Sequence, residues 1–137
     1  MNSQDIILLL YLINKLEKVE GRKRLQKLIY ILRNVDNIPF TFSFRPYYYG
    51  PYSDELSEAV DSLRSVDAIS EELIERSSRI YQYNYIICDK GRNILQNQLQ
   101  GIQTIIDKLN IVIERLRDID TSELVTISKK IQSKDSE

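Results

Sequence analysis

Apolar positions set the rhythm of this chain. Ile6, Leu9, Leu10, Ile13 and Leu16 recur at helical spacing, so an amphipathic helix is expected at the start, with Ser3 or Asp5 capping it. Gly21 either ends that helix or separates it from a second one, from about residue 22 to 35. The apolar stripe of this second helix is Leu25, Leu28, Ile29 and Leu32. A turn follows, and then Phe40, Phe42 and Phe44 alternate with Thr41, Ser43 and Arg45, the period of a half-buried strand that Pro46 stops. Ser53 is placed to cap a third helix, with Asp54 and Glu55 favourable in its first turn and Leu56, Ala59, Val60, Leu63 and Val66 facing the core.

Residues 69–88 read as a β-hairpin with its tip at Arg76-Ser77-Ser78-Arg79. In its return strand Tyr81, Tyr83, Tyr85 and Ile87 alternate with Gln82, Asn84 and Ile86. Asp89 can cap a long last helix, in which Leu95, Leu99, Ile102, Ile106, Leu109, Ile113 and Leu116 step by fours and threes. That is a heptad seam over about three heptads. Asp120-Thr121-Ser122-Glu123 resembles a capping box for a short final helix, followed by a polar tail from Ser133. Two leading helices, a strand, a helix, a two-stranded wing and a long helix give the expected fold class: α+β, with a winged-helix-like core, a small antiparallel sheet and a long C-terminal helix. One domain spanning residues 1–137 is expected, with 89–132 as a C-terminal helical extension.

Composition narrows the chemistry. Among the 137 residues there is no histidine, which removes Ser/His and Cys/His nucleophile pairs and the usual zinc sites, so neither an enzyme nor a metal or other cofactor is expected. A single cysteine, Cys88, forms no internal disulfide; with no signal-like or membrane-spanning run, a cytoplasmic protein is expected. The formal net charge is −1, but its distribution is uneven. Residues 15–33 hold seven basic residues against Glu17 and Glu20, whereas residues 53–75 hold eight acidic residues against Arg64 alone.

Several segments resemble a known family. Arg24-Leu25-Gln26-Lys27-Leu28-Ile29-Tyr30 is similar to the LQKLxY helix of the YwgA-type family of bacteria and archaea, and Tyr49-Gly50-Pro51-Tyr52-Ser53 to its YGPYS segment. Residues 63–69 stand where winged-helix proteins step into the wing. Tyr85-Ile86-Ile87-Cys88-Asp89-Lys90-Gly91 resembles the YxLTxxG that closes many wings, with Cys88 in place of the usual threonine. Asp67-Ala68 stands where a glycine is common. The resemblance covers roughly residues 22–95 and extends to Panacea- or SocA-type antitoxin domains. It implies a fold and an association with regulation or toxin neutralisation, and it supplies no catalytic residues.

Five groups of residues are candidates for function. Arg22, Lys23, Arg24 and Lys27, with Arg33 nearby, can neutralise phosphates or simply form a solvated helix face. The wing-tip Arg76 and Arg79 can reach a DNA groove or sit on a surface turn. Tyr47, Tyr48, Tyr49 and Tyr52 can stack on bases, anchor a protein partner, or pack under the wing. Asp54, Glu58 and Asp61 share one face of the third helix, which would repel phosphate and attract a basic protein. The heptad seam either dimerises the chain or covers its own first helix. Two readings follow. One is a homodimeric winged-helix regulator contacting double-stranded DNA through Arg22, Lys23, Arg24, Lys27, Arg76 and Arg79. The other is a protein-interaction module of antitoxin or adaptor type, whose tyrosines and acidic helix meet a basic partner.

Overall fold

Two helices whose middle turns are buried form the centre of the molecule. The computed structural model describes residues 2–135. Its elements are α1 (Ser3–Leu16), β1 (Val19–Glu20), α2 (Arg22–Asn34), α3 (Asp54–Ser65), β2 (Ile69–Ser77), β3 (Ile80–Ile87), α4 (Asp89–Gln98), a 3-10 turn (Leu99–Ile102), α5 (Gln103–Leu116) and α6 (Thr121–Asp135). Helix α1 buries Leu8, Leu9 and Leu10 in succession, and α2 buries every residue from 25 to 32. A helix covered on all sides is a core element. The fold is α+β: the antiparallel sheet runs in the order β1-β3-β2, the β2–β3 hairpin turns at residues 78–79, and the arrangement is winged-helix-like.

The start of the chain differs in detail from the expectation. Asn2 caps α1, its Oδ1 accepting from the Gln4 amide at 2.8 Å. Asp5 is instead buried, accepting hydrogen bonds from the Thr41 amide and hydroxyl. Between α1 and α2 the chain makes the short strand β1, which no alternation in the sequence announced. Gly21 follows with φ +112°, a conformation that side chains rarely adopt.

The expected strand over Phe40–Phe44 does not form. Its alternation is real, since Phe40 and Phe42 are buried while Thr41 and Ser43 are exposed. Its backbone is bound by side chains rather than by a neighbouring strand: the Thr41 amide by Asp5, the Ser43 amide by Glu55, and the Phe42 carbonyl by Arg33. A single bridge, Arg45 to Tyr52, closes the loop that follows.

The long last helix is broken. Backbone φ values of −121° at Gln98 and −130° at Ile102 bracket a 3-10 turn containing Gly101, and α5 begins as a separate helix at Gln103. Glycine is a poor helix former, so the break costs little here. The seam is spent within the chain: Leu95, Ile106, Leu109, Ile113 and Leu116 are buried in the core cluster, and Leu99 and Ile102 are half-buried at the break. These helices share one core with α1 and α2, so the dimer expected along this seam loses its apolar surface. The last helix, α6, is longer than expected, reaching Asp135 and packing on α2. Asp120 caps it, accepting from the Glu123 amide at 2.9 Å, and this contact holds its carboxyl below the usual range.

Candidate functional site

The segment between α2 and α3 is an exposed aromatic loop with a buried base. Two consecutive residues of α2 hold that base. The Gln26 side-chain amide accepts from the Ser53 amide at 2.8 Å and donates to the Ser53 carbonyl at 2.9 Å. The Lys27 ammonium donates to the Pro51 carbonyl at 2.6 Å. Ser53 in turn caps α3, its hydroxyl accepting from the Leu56 amide at 3.0 Å. Gly50, at φ +95°, turns the loop against Ser128 and Lys129 of α6, where a Cβ would lie 3.1–3.2 Å from their side chains. The Leu-Gln-Lys segment and the Gly-Pro-Tyr-Ser segment, far apart in sequence, are thus the two halves of one clamp.

Lys27 is 1% exposed. Its pKa falls to about 8, first because burial penalises the charged form and then because Lys23 and Lys129 repel it. It is therefore a structural cation and cannot contact a phosphate, as the sequence-based reading had it. Arg24 is likewise turned inward, its guanidinium donating to the carbonyls of Ile119 at 2.6 Å and Arg117 at 2.9 Å. Of the four cations assigned to nucleic acid on α2, Arg22 and Lys23 reach the surface.

Above the clamp the rings stand in solvent. Tyr48 is 82% exposed, and Tyr47 and Tyr49 are each about half exposed. The tyrosines and cations interleave. Lys23 lies 3.7 Å from the centre of the Tyr49 ring, and Arg45 lies 5.0 Å and 5.4 Å from those of Tyr47 and Tyr52. Tyr47 contacts Tyr48 edge-on at 5.0 Å and Tyr52 at 5.1 Å. Arg45 also pairs in bidentate fashion with Asp54 at 2.8 and 3.1 Å, which lowers the Asp54 carboxyl pKa and ties the tyrosines to the first turn of α3.

The acidic face is less available than its charge count implied. Asp54 is taken by Arg45, Asp61 by Arg64 at 3.3 Å, and Glu55 by the Ser43 amide at 3.1 Å. Glu58 remains exposed. At the wing, Arg76 pairs with Glu20 at 3.4 Å, and Arg79 sits in the turn with φ +66°. Beneath the wing Glu71, nearly buried, is bracketed by Arg22 at 3.1 Å and Arg64 at 3.7 Å. Tyr85 beside it has its pKa raised by burial and by the Glu71 charge. This knot locks β2 to α2 and α3. The sequence reading missed Gln26, Arg45 and Glu71 as site residues. Gln26 could have been found from its place in the Leu-Gln-Lys segment, whereas the pairings of Arg45 and Glu71 exist in space alone.

The fold and the loop define a small α+β protein that displays an anchored aromatic surface. No protein-family model matches the chain. It is 30% identical over 96 residues to the uncharacterized protein YwgA of Bacillus subtilis (strain 168), an alignment covering 68% of this chain and 57% of YwgA. The match thus spans less than two thirds of that relative's length, and it supports the likeness to the YwgA-type family. No helix among the described residues is long and apolar enough to cross a membrane.

Proposed function

We propose that this chain is a protein-interaction module of adaptor or antitoxin type, with Tyr47, Tyr48 and Tyr49 as its anchor. The observation that carries the reading is the contrast between the loop's base and its tip. The base is fixed by six hydrogen bonds, from Gln26, Lys27, Ser53 and the Arg45–Tyr52 backbone pair, while the tip presents three of the largest exposed apolar side chains among the described residues. Aromatic side chains held in place lose little conformational freedom on binding, and tyrosine is enriched among interface hot spots for that reason. Contiguous exposed apolar surface on a small protein marks an interaction site more often than chance.

The regulator reading has weaker support. With Lys27 buried and Arg24 turned to backbone carbonyls, the cationic surface of α2 shrinks to Arg22 and Lys23. Helix α3, which occupies the place of a recognition helix, offers carboxylates to the groove.

The test is photocrosslinking in the protein's native cells, with benzoylphenylalanine placed at Tyr48 or, as a control, at Ile111, which is 75% exposed on α5. A discrete protein adduct formed from Tyr48 and not from Ile111, and lost when Tyr47 and Tyr49 are changed to alanine, is the expected result. Equal labelling from both positions would refute the reading. Salt-sensitive binding to mixed-sequence duplex DNA, lost on Arg22→Ala with Lys23→Ala, would restore the regulator.

A further inference from the structure

Strand β3 is paired unequally along its two sides. On one side β2 accompanies it through Ser77↔Ile80. On the other, β1 pairs with Tyr85 and Asn84 and then leaves, because Gly21 turns the chain into α2. From Ile80 to Tyr83 no strand among the described residues covers that second edge. In an antiparallel sheet alternate residues point their N–H and C=O groups to each side, so about half of the backbone groups over this stretch face outward. A groove of about 360 Å³ runs along this edge, with the first turn of α2 as its other wall.

The lining of the groove is biased in two ways. Of its cations, Arg24 is held by backbone carbonyls, Arg22 by Glu71 and Arg76 by Glu20, the one carboxylate in the lining, which leaves Lys23 to face the groove. Ile80 and Tyr81, both more than half exposed, supply apolar surface beside the open backbone. The wall itself is electrostatically unfavourable as it stands. Helix α2 begins without a capping side chain and with three cations and no acid in its first turn, the reverse of what the helix dipole favours. Lys23 pairs with no carboxylate among the described residues and stacks on Tyr49 instead. An anionic group entering the groove would relieve that arrangement.

We propose that the open edge of β3 receives an extended acidic segment of a protein partner, added as a strand in line with β1. The main chain supplies the hydrogen bonds, and the carboxylates meet Lys23 and its neighbours. This rests on the interaction-module reading and names the chemistry of the bound segment. Because Lys23 touches both the groove and Tyr49, a segment leaving the groove runs directly onto the tyrosine loop. The edge itself is short, roughly 13 Å over Ile80–Tyr83, so recognition depends on charge as well as on backbone pairing.

The probe is a fluorescein-labelled peptide of about eight residues alternating Glu and Val, long enough to span the edge. Anisotropy at low salt measures its binding to the full chain, and amide hydrogen exchange locates it. Binding is expected to weaken by roughly fivefold or more with Lys23→Glu. It should fall further with a Lys/Val peptide, and disappear when alternate peptide amides are N-methylated. Outward-facing amides among residues 80–83 should gain protection. No binding at about 1 mM peptide overturns the proposal, as does binding that leaves those amides unprotected. Oligothymidylate that displaces the peptide and protects the same amides would assign the groove to single-stranded nucleic acid instead. A Tyr48 adduct in cells together with a silent peptide would sink this inference alone; failure of the Tyr48 probe to form any discrete adduct would sink the module reading beneath it.

Discussion

The same substitution, glycine to alanine, should have opposite signs at two positions of this fold. At Gly91, in the first turn of α4, an added Cβ would lie 2.2 Å from the Ala68 carbonyl oxygen and 2.8 Å from Ile87 Cγ1. Carbon–oxygen contacts settle at about 3.3 Å, so something must move by about 1 Å. The oxygen has little freedom, because it already accepts from the Cys88 amide at 2.9 Å, where the sheet meets α4. Relief therefore requires α4 to shift off the sheet, which is overpacking of the costly kind, about 1–3 kcal/mol or more. The better helix propensity of alanine returns at most about 1 kcal/mol. A 2.2 Å contact puts the cost at the upper end of that range, so the net effect for Gly91→Ala is a loss of about 2 kcal/mol, and at about 3–5 °C per kcal/mol for a domain of this size the melting temperature falls by roughly 6–10 °C. Gly101 has nothing within 4 Å of its would-be Cβ, and its φ is not positive. Gly101→Ala should leave stability unchanged or raise it by up to about 1 kcal/mol. Calorimetry on the two variants and the parent decides. Equal shifts, or a stabilised Gly91→Ala, would show that the close packing of α4 on Ala68 is wrong.

Three further outcomes are expected. Gln26→Ala strands the buried Ser53 amide and carbonyl, so it should cost about 1–3 kcal/mol and make the chain cleavable within the loop 45–53; a variant as stable and protease-resistant as the parent would argue against the clamp. The pKa of Lys27 is lowered on folding, so between about pH 8 and the ordinary lysine value the unfolded chain binds more protons and stability should rise with pH. Lys27→Met removes that rise while leaving the Pro51 carbonyl unpaired, and parallel pH profiles in urea titrations would show that Lys27 is not desolvated. Leu109→Ala should cost about 2–5 kcal/mol, and the unfolding midpoints of parent and variant should both be independent of protein concentration; a concentration-dependent midpoint would move the seam between chains.

The hydrophobic pattern by itself determined the helices, the hairpin and the α+β class. Burial follows side-chain period in α3, where Leu56, Ala59, Val60 and Leu63 lie as their spacing put them while Val66, expected to face the core, is exposed; in α2 the stripe Leu25, Leu28, Ile29 and Leu32 is buried, but so is every residue between. Local capping chemistry was equally legible at Ser53, whose hydroxyl acts within its own turn. What the sequence left open depends on partners distant along the chain. The alternation of Phe40, Phe42 and Phe44 was visible, but only the fold decided that Asp5, Glu55 and Arg33 would bind that backbone in place of a strand. The basic run on α2 read as one surface because charge can be counted along a sequence. Tertiary packing turned Arg24 and Lys27 inward, since α6 and the Gly50–Pro51 turn close over that side of the helix. The heptad seam looked the same whether its partner was α1 of the same chain or a second copy. Its intramolecular burial was settled when α4 and α5, broken at Gly101, folded back onto the core. The open edge of β3 had no sequence signature, because it exists only where β1 ends and Gly21 turns the chain away.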